Sequence, residues 1–182
     1  MAVCATENPA SSSMARTAGP LVSCRSTFFP PRCRWVPKWI AGRSCIETLE
    51  VTYSGDGVEN VRDAVLAMRQ RSPDMILCTA GMSVDPDDNT PGGIKAAGAD
   101  IVCYGAPVLP GAMFLLGYFE GGLPVMGLPG CVMYAGATIF DLILPKVAAD
   151  IPVTRSDIAA LGEGGLCLGC KECHYPICPF GK

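Results

Sequence analysis

The stretch that decides the fold is residues 75–91, MILCTAGMSVDPDDNTP. Its first residues, 75–79, form an apolar run that is typical of a strand buried on both faces of a sheet. A polar loop then extends to Asn89, and Thr90 begins a short helix with Pro91 in its first turn. This order predicts an α/β unit with a functional loop at the carboxyl end of a central strand.

The flanking sequence continues the alternation of strands and helices. The patterns predict further strands at 47–54, 101–104, 113–119 and 124–128, and helices at 56–71, 90–97, 132–144 and 155–161. We therefore expect a three-layer α/β fold, with a mostly parallel sheet and helices on both faces. A short Cys-rich C-terminal extension follows it.

Composition and charge exclude several classes of protein. Apolar residues make up 49% of the 182 residues and charged residues 17%, which argues against disorder of the whole chain. The net charge of -3 argues against a general nucleic-acid binder. Glu120 is the single charge between residues 101 and 140, but Gly and Pro break this stretch into runs too short to span a membrane. We expect a cytoplasmic protein.

The charge distribution divides the chain. Residues 1–46 carry six basic residues and one acidic residue, whereas the remainder has a net charge of -8. The first segment shows no apolar periodicity, so we expect residues 1–46 to be disordered or atypical. Residues 47–150 are predicted to form the α/β domain, and 151–182 a helix and a Cys-rich knuckle.

The loop after residue 79 has the composition of a ligand site. Asp85, Asp87 and Asp88 can hold Mg²⁺ beside a phosphate, and Gly81 lets a ligand approach the backbone. The alternative is a solvated acidic turn in which Asp88 or Asn89 caps the following helix. The spacing alone favours this alternative.

A second candidate loop is Gly127–Cys131, between a predicted strand and a predicted helix. Backbone N–H groups at a helix N-terminus can bind an anion, although the segment also fits a tight turn. If exposed there, Cys131 would have a lowered pKa. The alternative is a small buried side chain.

Together the two loops resemble a known family. The order Thr79-x-Gly81, Asp88-x-Thr90-Pro91, Pro110-Gly111 and Gly127-Leu128-Pro129-Gly130 resembles the molybdopterin-binding domain of molybdenum-cofactor biosynthesis, over about residues 47–150. That family includes molybdopterin adenylyltransferases and molybdenum-insertion enzymes. The resemblance implies a catalytic role for Asp88 in Mg²⁺ and nucleotide chemistry. The residues that it implies for pterin and phosphate binding are Thr79, Gly81, Ser83, Pro129 and Gly130, with the adjacent Cys131.

The sequence departs from the family pattern at several places. Ala80 replaces a Gly, Cys131 an Asn or Ser, and Leu109 a frequent Lys. The family domain opens with a strand, a Thr-Gly-Asn/Asp-Glu type motif and a long helix, which residues 1–46 do not match. We therefore expect the first strand and helix to be missing. A wrong start or a reading-frame slip would explain residues 1–46.

The C-terminal cysteines have the spacing of a metal site. Cys167, Cys170, Cys173 and Cys178 are separated by two, two and four residues. Zinc accepts four Cys, or three Cys with His174 as a ligand, and is favoured here. An iron–sulfur cluster is the second interpretation, because the spacing is close to an iron–sulfur pattern. The third is a set of reduced thiols without a metal.

Three functions remain open. The leading one is a molybdopterin-binding protein in cofactor biosynthesis or handling, with ATP as a possible second substrate if it is an enzyme. The second is a non-catalytic module that senses or delivers the pterin and uses the knuckle to dock a partner or sense redox state. The third is an iron–sulfur electron carrier. A second copy of the chain or a molybdoenzyme is a candidate partner.

Overall fold

The computed structural model describes residues 20–26 and 46–182. The prediction of disorder for residues 1–46 thus falls mainly on residues outside the described part. Within this segment, Pro20–Ser26 forms a strand.

The described residues form six strands and four α-helices. The strands are β1 Pro20–Ser26, β2 Ile46–Tyr53, β3 Met75–Thr79, β4 Asp100–Tyr104, β5 Leu115–Tyr118 and β6 Pro124–Leu128. The helices are α1 Val58–Arg69, α2 Thr90–Ala96, α3 Ile139–Ala148 and α4 Arg155–Ala160. A 3₁₀ turn at Gly130–Met133 precedes α3, and another at Leu161–Gly164 follows α4. None of these described helices is both long and apolar enough to cross a membrane.

The sheet is mixed, in the order β2-β1-β3-β6-β5-β4. Only β3 and β6 pair in parallel, while the other four neighbouring pairs are antiparallel. The prediction of a mostly parallel sheet is therefore wrong. For β4–β5 and β5–β6 the connections explain the antiparallel pairing, because the short links 105–114 and 119–123 leave no room for the crossover that adjacent parallel strands require.

Alternating side chains of the strands supply two separate apolar clusters. In β3, Met75 and Leu77 belong to the cluster that contains residues of α3 and α4. Ile76 and Cys78 belong to the cluster that contains residues of α1 and α2. Because side chains alternate along a strand, both faces of the central strand are covered, and its continuous apolar sequence follows from this.

Helix α3 differs from the helix predicted at 132–144. Its N-cap is Thr138, whose backbone N–H donates to Asp141 Oδ2 at 2.7 Å, while its hydroxyl accepts from the backbone of the first turn. This reciprocal capping box sets the start of the helix. The predicted start was wrong because the apolar run extends through residues 132–137, which form a 3₁₀ turn and a loop instead.

Pro145 does not end α3, as the sequence predicted, but lies inside it. Proline lacks the N–H that would donate to the carbonyl four residues earlier, which belongs to Asp141. The hydroxyl of Tyr175 donates to this carbonyl at 3.0 Å. The C-terminal segment thereby supplies a donor at the point where proline removes one.

Replacing Tyr175 with Phe tests this contact. We expect Tyr175→Phe to lower the free energy of unfolding by about 1 kcal/mol, the usual net contribution of one hydrogen bond. Denaturant unfolding measures the change. In a Pro145→Ala background the helix regains its own N–H donor. Tyr175→Phe should then lower the free energy of unfolding by clearly less. Equal losses in both backgrounds would contradict the assigned role of Tyr175.

Candidate functional site

The parallel pairing of β3 with β6 brings the two candidate loops to the same edge of the sheet. Thr79 at the end of β3 pairs with Leu128 at the end of β6. The loop 80–89 and the turn that begins at Pro129 therefore leave adjacent strand ends. Ligands of α/β sheets bind at such carboxyl ends.

The first loop is folded back on itself by its own polar groups. The backbone N–H of Ser83 donates to Asp88 Oδ2 at 2.6 Å, and the Thr90 hydroxyl donates to the Ala80 carbonyl at 2.9 Å. Asn89 is the N-cap of α2, but no side chain caps this helix. The interpretation of Asp88 or Asn89 as a side-chain cap is therefore wrong. The Asp88 carboxylate orders the loop instead.

Left-handed backbone at two consecutive residues makes the turn into this loop. Ala80 has a φ of 63° and Gly81 a φ of 59°. A Cβ on Gly81 would lie 2.6 Å from Thr90 Oγ1, so a larger residue cannot enter without moving the loop. At Ala80, where the family pattern has Gly, an L-residue holds a conformation that favours Gly.

Tyr104 is a contact of the first loop that the sequence did not reveal. It ends β4, and its hydroxyl donates to the Ser83 carbonyl at 2.8 Å. Burial, and then the negative charge of Asp88, raises the pKa of the Tyr104 hydroxyl. The hydroxyl therefore stays protonated at neutral pH and keeps its donor role. No local sequence signal links residues 83 and 104, because only the sheet brings them together.

The second loop contains a short 3₁₀ turn rather than the start of a long helix. Pro129 is its N-cap, and the Val132 N–H donates to the Pro129 carbonyl at 3.1 Å. The N–H groups of Gly130 and Cys131 come too early in the turn to have a carbonyl partner within it. Cys131 is half-buried, and burial raises the pKa of its thiol. The expectation of a lowered pKa at this position is wrong.

A third segment, Leu109–Gly111, lies against the start of α3. The Ile139 N–H donates to the Pro110 carbonyl at 3.2 Å, and a Cβ on Gly111 would lie 2.7 Å from Ile139 Cγ2. Leu109 is tied to the C-terminal segment: its N–H donates to the Gly165 carbonyl at 2.6 Å, and its carbonyl accepts from the Cys167 N–H at 2.8 Å.

The charge of the site is entirely acidic. Neither 79–91, 104–112 nor 127–136 contains Lys or Arg. Asp85 and Asp87 are exposed on the first loop, and Asp88 is half-buried within it. A phosphate at this edge would meet backbone N–H groups and the carboxylates of this loop.

The C-terminal cysteines line one cavity. Cys167, Cys170, Cys173 and Cys178 surround a space of about 90 Å³ together with His174. All four cysteines are free thiols. Within the described residues, no three Cys, His, Asp or Glu side chains are grouped so that they could hold a metal ion. The structure thus places the four cysteines around a common space without a preformed metal site.

The structure sorts the sequence-predicted residues into two groups. The edge formed by β3 and β6 brings together the residues implied for the pterin site, which are Thr79, Gly81, Ser83, Asp88, Pro129, Gly130 and Cys131. The four C-terminal cysteines form the other group, and Cys131 is not among the residues that line their cavity.

Comparison with protein families agrees with this arrangement of loops. A family model described as a probable molybdopterin binding domain matches residues 34–149, more than half of the chain. The chain belongs to this family. Its role is therefore related to molybdopterin in cofactor biosynthesis, and a small pterin is the implied ligand. No curated protein matches the chain.

The two left-handed residues give a matched pair of substitutions. We expect Gly81→Ala to lower the free energy of unfolding by about 2 kcal/mol, because it adds a left-handed Ala and a contact with Thr90. Ala80→Gly should change stability by less than about 1 kcal/mol, since the relief of strain offsets the added freedom of the unfolded chain. Thermal or denaturant unfolding compares the two. A smaller loss for Gly81→Ala than for Ala80→Gly would contradict the described turn.

Proposed function

We propose that this protein binds molybdopterin at the carboxyl edge of β3 and β6 and acts in the biosynthesis or handling of the molybdenum cofactor. The observation that carries the proposal is the pairing of Thr79 with Leu128, which sets the two family loops side by side. In this proposal Thr79, Gly81 and Ser83 contact the pterin from one side. Pro129 and Gly130 contact its phosphate end from the other.

The phosphate is assigned to the turn that begins at Pro129. The Gly130 N–H has no carbonyl partner within the turn and can donate to an anion, whereas the Cys131 N–H contacts its own thiol. The loops contain no Lys or Arg, so their donors to an anion are neutral: backbone N–H groups and the side chains of Thr79, Ser83 and Asn89. A half-buried Cys131 with a raised pKa is neutral, so it does not repel a phosphate.

Mg²⁺ completes the proposed site. Asp88 already accepts from Ser83 through Oδ2, and its half-buried position orients the carboxylate within the loop. A hard divalent cation held by carboxylate oxygens would offset the repulsion between Asp88 and a phosphate. With ATP present, Asp88 and its Mg²⁺ would support adenylyl transfer to molybdopterin; molybdenum insertion is the other reaction within the family.

A non-catalytic pterin-binding module is the second candidate. It is favoured by Asp88 Oδ2, which accepts a hydrogen bond from its own loop. It is also favoured by the absence of Lys and Arg from 79–91, 104–112 and 127–136, since a basic side chain there could stabilise a transferring phosphate. This protein would deliver or sense the pterin. Its C-terminal segment would then contact a partner.

Other parts of the proposal come from the sequence. For the fold, we propose a three-layer arrangement with a helix pair on each face of the sheet. For the location and partner, we propose the cytoplasm and either a second copy of the chain or a molybdoenzyme. At the C-terminal cysteines we propose a zinc ion or an iron–sulfur cluster. The two apolar clusters support the first of these. An electron carrier built on the iron–sulfur alternative has no support beyond the cysteine spacing.

Titration of the full chain with molybdopterin under anaerobic conditions tests the proposal. We expect saturable binding that Mg²⁺ strengthens about tenfold. Asp88→Asn should remove the gain from Mg²⁺, and also adenylate formation from ATP if wild type shows it, because the bridging carboxylate is lost. Asp85→Asn is the control, since this exposed carboxylate lies on the same loop and takes no part in the Ser83 contact.

The outcomes separate the candidates. Binding without adenylate formation in the presence of ATP and Mg²⁺ would support the module. Wild-type protein that binds no molybdopterin would refute both. An Mg²⁺ effect that survives in Asp88→Asn but is lost in Asp85→Asn would show that the metal role belongs to a different carboxylate.

A further inference from the structure

The cavity of the C-terminal segment has the make-up of a site for a soft metal ion. Its volume of about 90 Å³ exceeds the roughly 10–15 Å³ that one water molecule needs. Four thiols and His174 line it, together with apolar side chains and glycines. The lining includes no Asp, Glu, Lys or Arg, and the hydroxyl of Tyr175 is bound to the Asp141 carbonyl, so the thiols and the imidazole are the groups available to a metal ion.

Both ends of the cysteine segment are fixed to the domain. At the start, Leu109 pairs with Leu166 in a parallel bridge. At the end, Phe180 is 3% exposed. Its ring packs against that of Tyr175, with 6.5 Å between the ring centroids. The Gly181 N–H donates to the Gly164 carbonyl at 2.9 Å, which closes the segment into a loop.

Between these fixed ends the chain has no helix or strand of its own. Residues 167–178 are loop and turn, and Cys170 and Cys173 are exposed. Cys167 and Cys178 are half-buried against the apolar cluster of α3, but apolar burial does not explain why thiols stand at 170 and 173. Small loops that lack a core are commonly ordered by a disulfide or a metal, and no disulfide joins these cysteines.

We infer that Cys167, Cys170, Cys173 and Cys178 bind one Zn²⁺ in this cavity. Soft thiolate ligands select zinc over Mg²⁺ or Ca²⁺, and four of them complete its tetrahedral shell. Among the described residues the four side chains do not form a ready-made metal group, so an attraction is needed to draw them together. The cation supplies that attraction, and each thiol loses its proton to solvent as it binds.

Zinc binding at this place would fasten the C-terminal segment to the proposed pterin edge. Gly136 and Ala137 line the cavity and directly precede Thr138, the N-cap of α3. On the other side, Cys167 is hydrogen-bonded to Leu109, next to the Pro110 carbonyl that accepts from Ile139. This consequence, unlike the zinc site itself, rests on the proposed function.

Metal titration of the reduced, chelator-stripped full chain tests the site. We expect one equivalent of Zn²⁺, and Co²⁺ as a probe should give the intense thiolate-to-metal absorption of a four-sulfur site. Cys170→Ser and Cys173→Ser should each weaken Zn²⁺ binding more than about 100-fold, beyond the usual effect of changing a group outside the ligand shell. Cys131→Ser is the matched control and should leave the affinity for Zn²⁺ unchanged.

A second measurement does not depend on the fold of the variants. Zinc should protect the cysteines of 167–178 in the wild-type chain from alkylation, as read by peptide mass spectrometry, and leave Cys131 as reactive as before. No bound zinc, a visible iron–sulfur absorption after anaerobic purification, or equal weakening by Cys131→Ser would overturn the assignment. Loss of the four-sulfur Co²⁺ spectrum in His174→Asn would overturn the ligand set.

Pterin affinity separates this inference from the proposed function. Removal of zinc should weaken molybdopterin binding about tenfold if the fastened segment holds the loop edge in place. Zinc binding without any pterin binding would leave the site standing and refute the proposed function. Pterin binding in a chain that takes up no zinc would support the proposed function and refute the zinc site.

Discussion

The parallel pairing of β3 with β6 is the contact on which the rest of the structure depends. These are the only neighbouring strands among the described residues that run the same way, and their ends place both loops at one edge. A shift of one residue would turn every side chain of β6 to the opposite face and separate Thr79 from Leu128. Every residue of the two strands except Thr79 is buried, so packing on both faces of the sheet holds this pairing in place.

The C-terminal segment is a part of the domain rather than an appendage. Tyr175 donates to the Asp141 carbonyl where Pro145 removes the helical N–H, and Leu109 is bonded to the same segment on the other side of the cavity. Cys170 and Cys173 lie between these two attachments in the chain, and Cys178 follows Tyr175. A change at the cysteines therefore reaches α3 and the Leu109–Gly111 segment through direct contacts.

Local sequence predicted the elements whose signals are local. The runs 75–79 and 124–128 became β3 and β6 with unchanged bounds. Helix α4 begins at Arg155 as predicted, after a capping box formed by Thr154 and Asp157. The start of α3 was missed although Thr138 and Asp141 have the same capping spacing, because an apolar run before them suggested a longer helix. The mixed sheet was missed because strand direction depends on which strands become neighbours.

The sequence by itself determined the α/β alternation, the buried character of the central strands and the composition of both loops. It did so because apolar periodicity, Gly and Pro act over a few residues. Only the tertiary structure decided that Tyr104 holds Ser83, that Asp88 orders its own loop instead of capping α2, and that four cysteines surround one cavity. Tyr104 and Ser83 are 21 residues apart, and the packed sheet brings them together. The other two outcomes depend on how a loop without regular structure folds against the domain, which local sequence patterns do not determine.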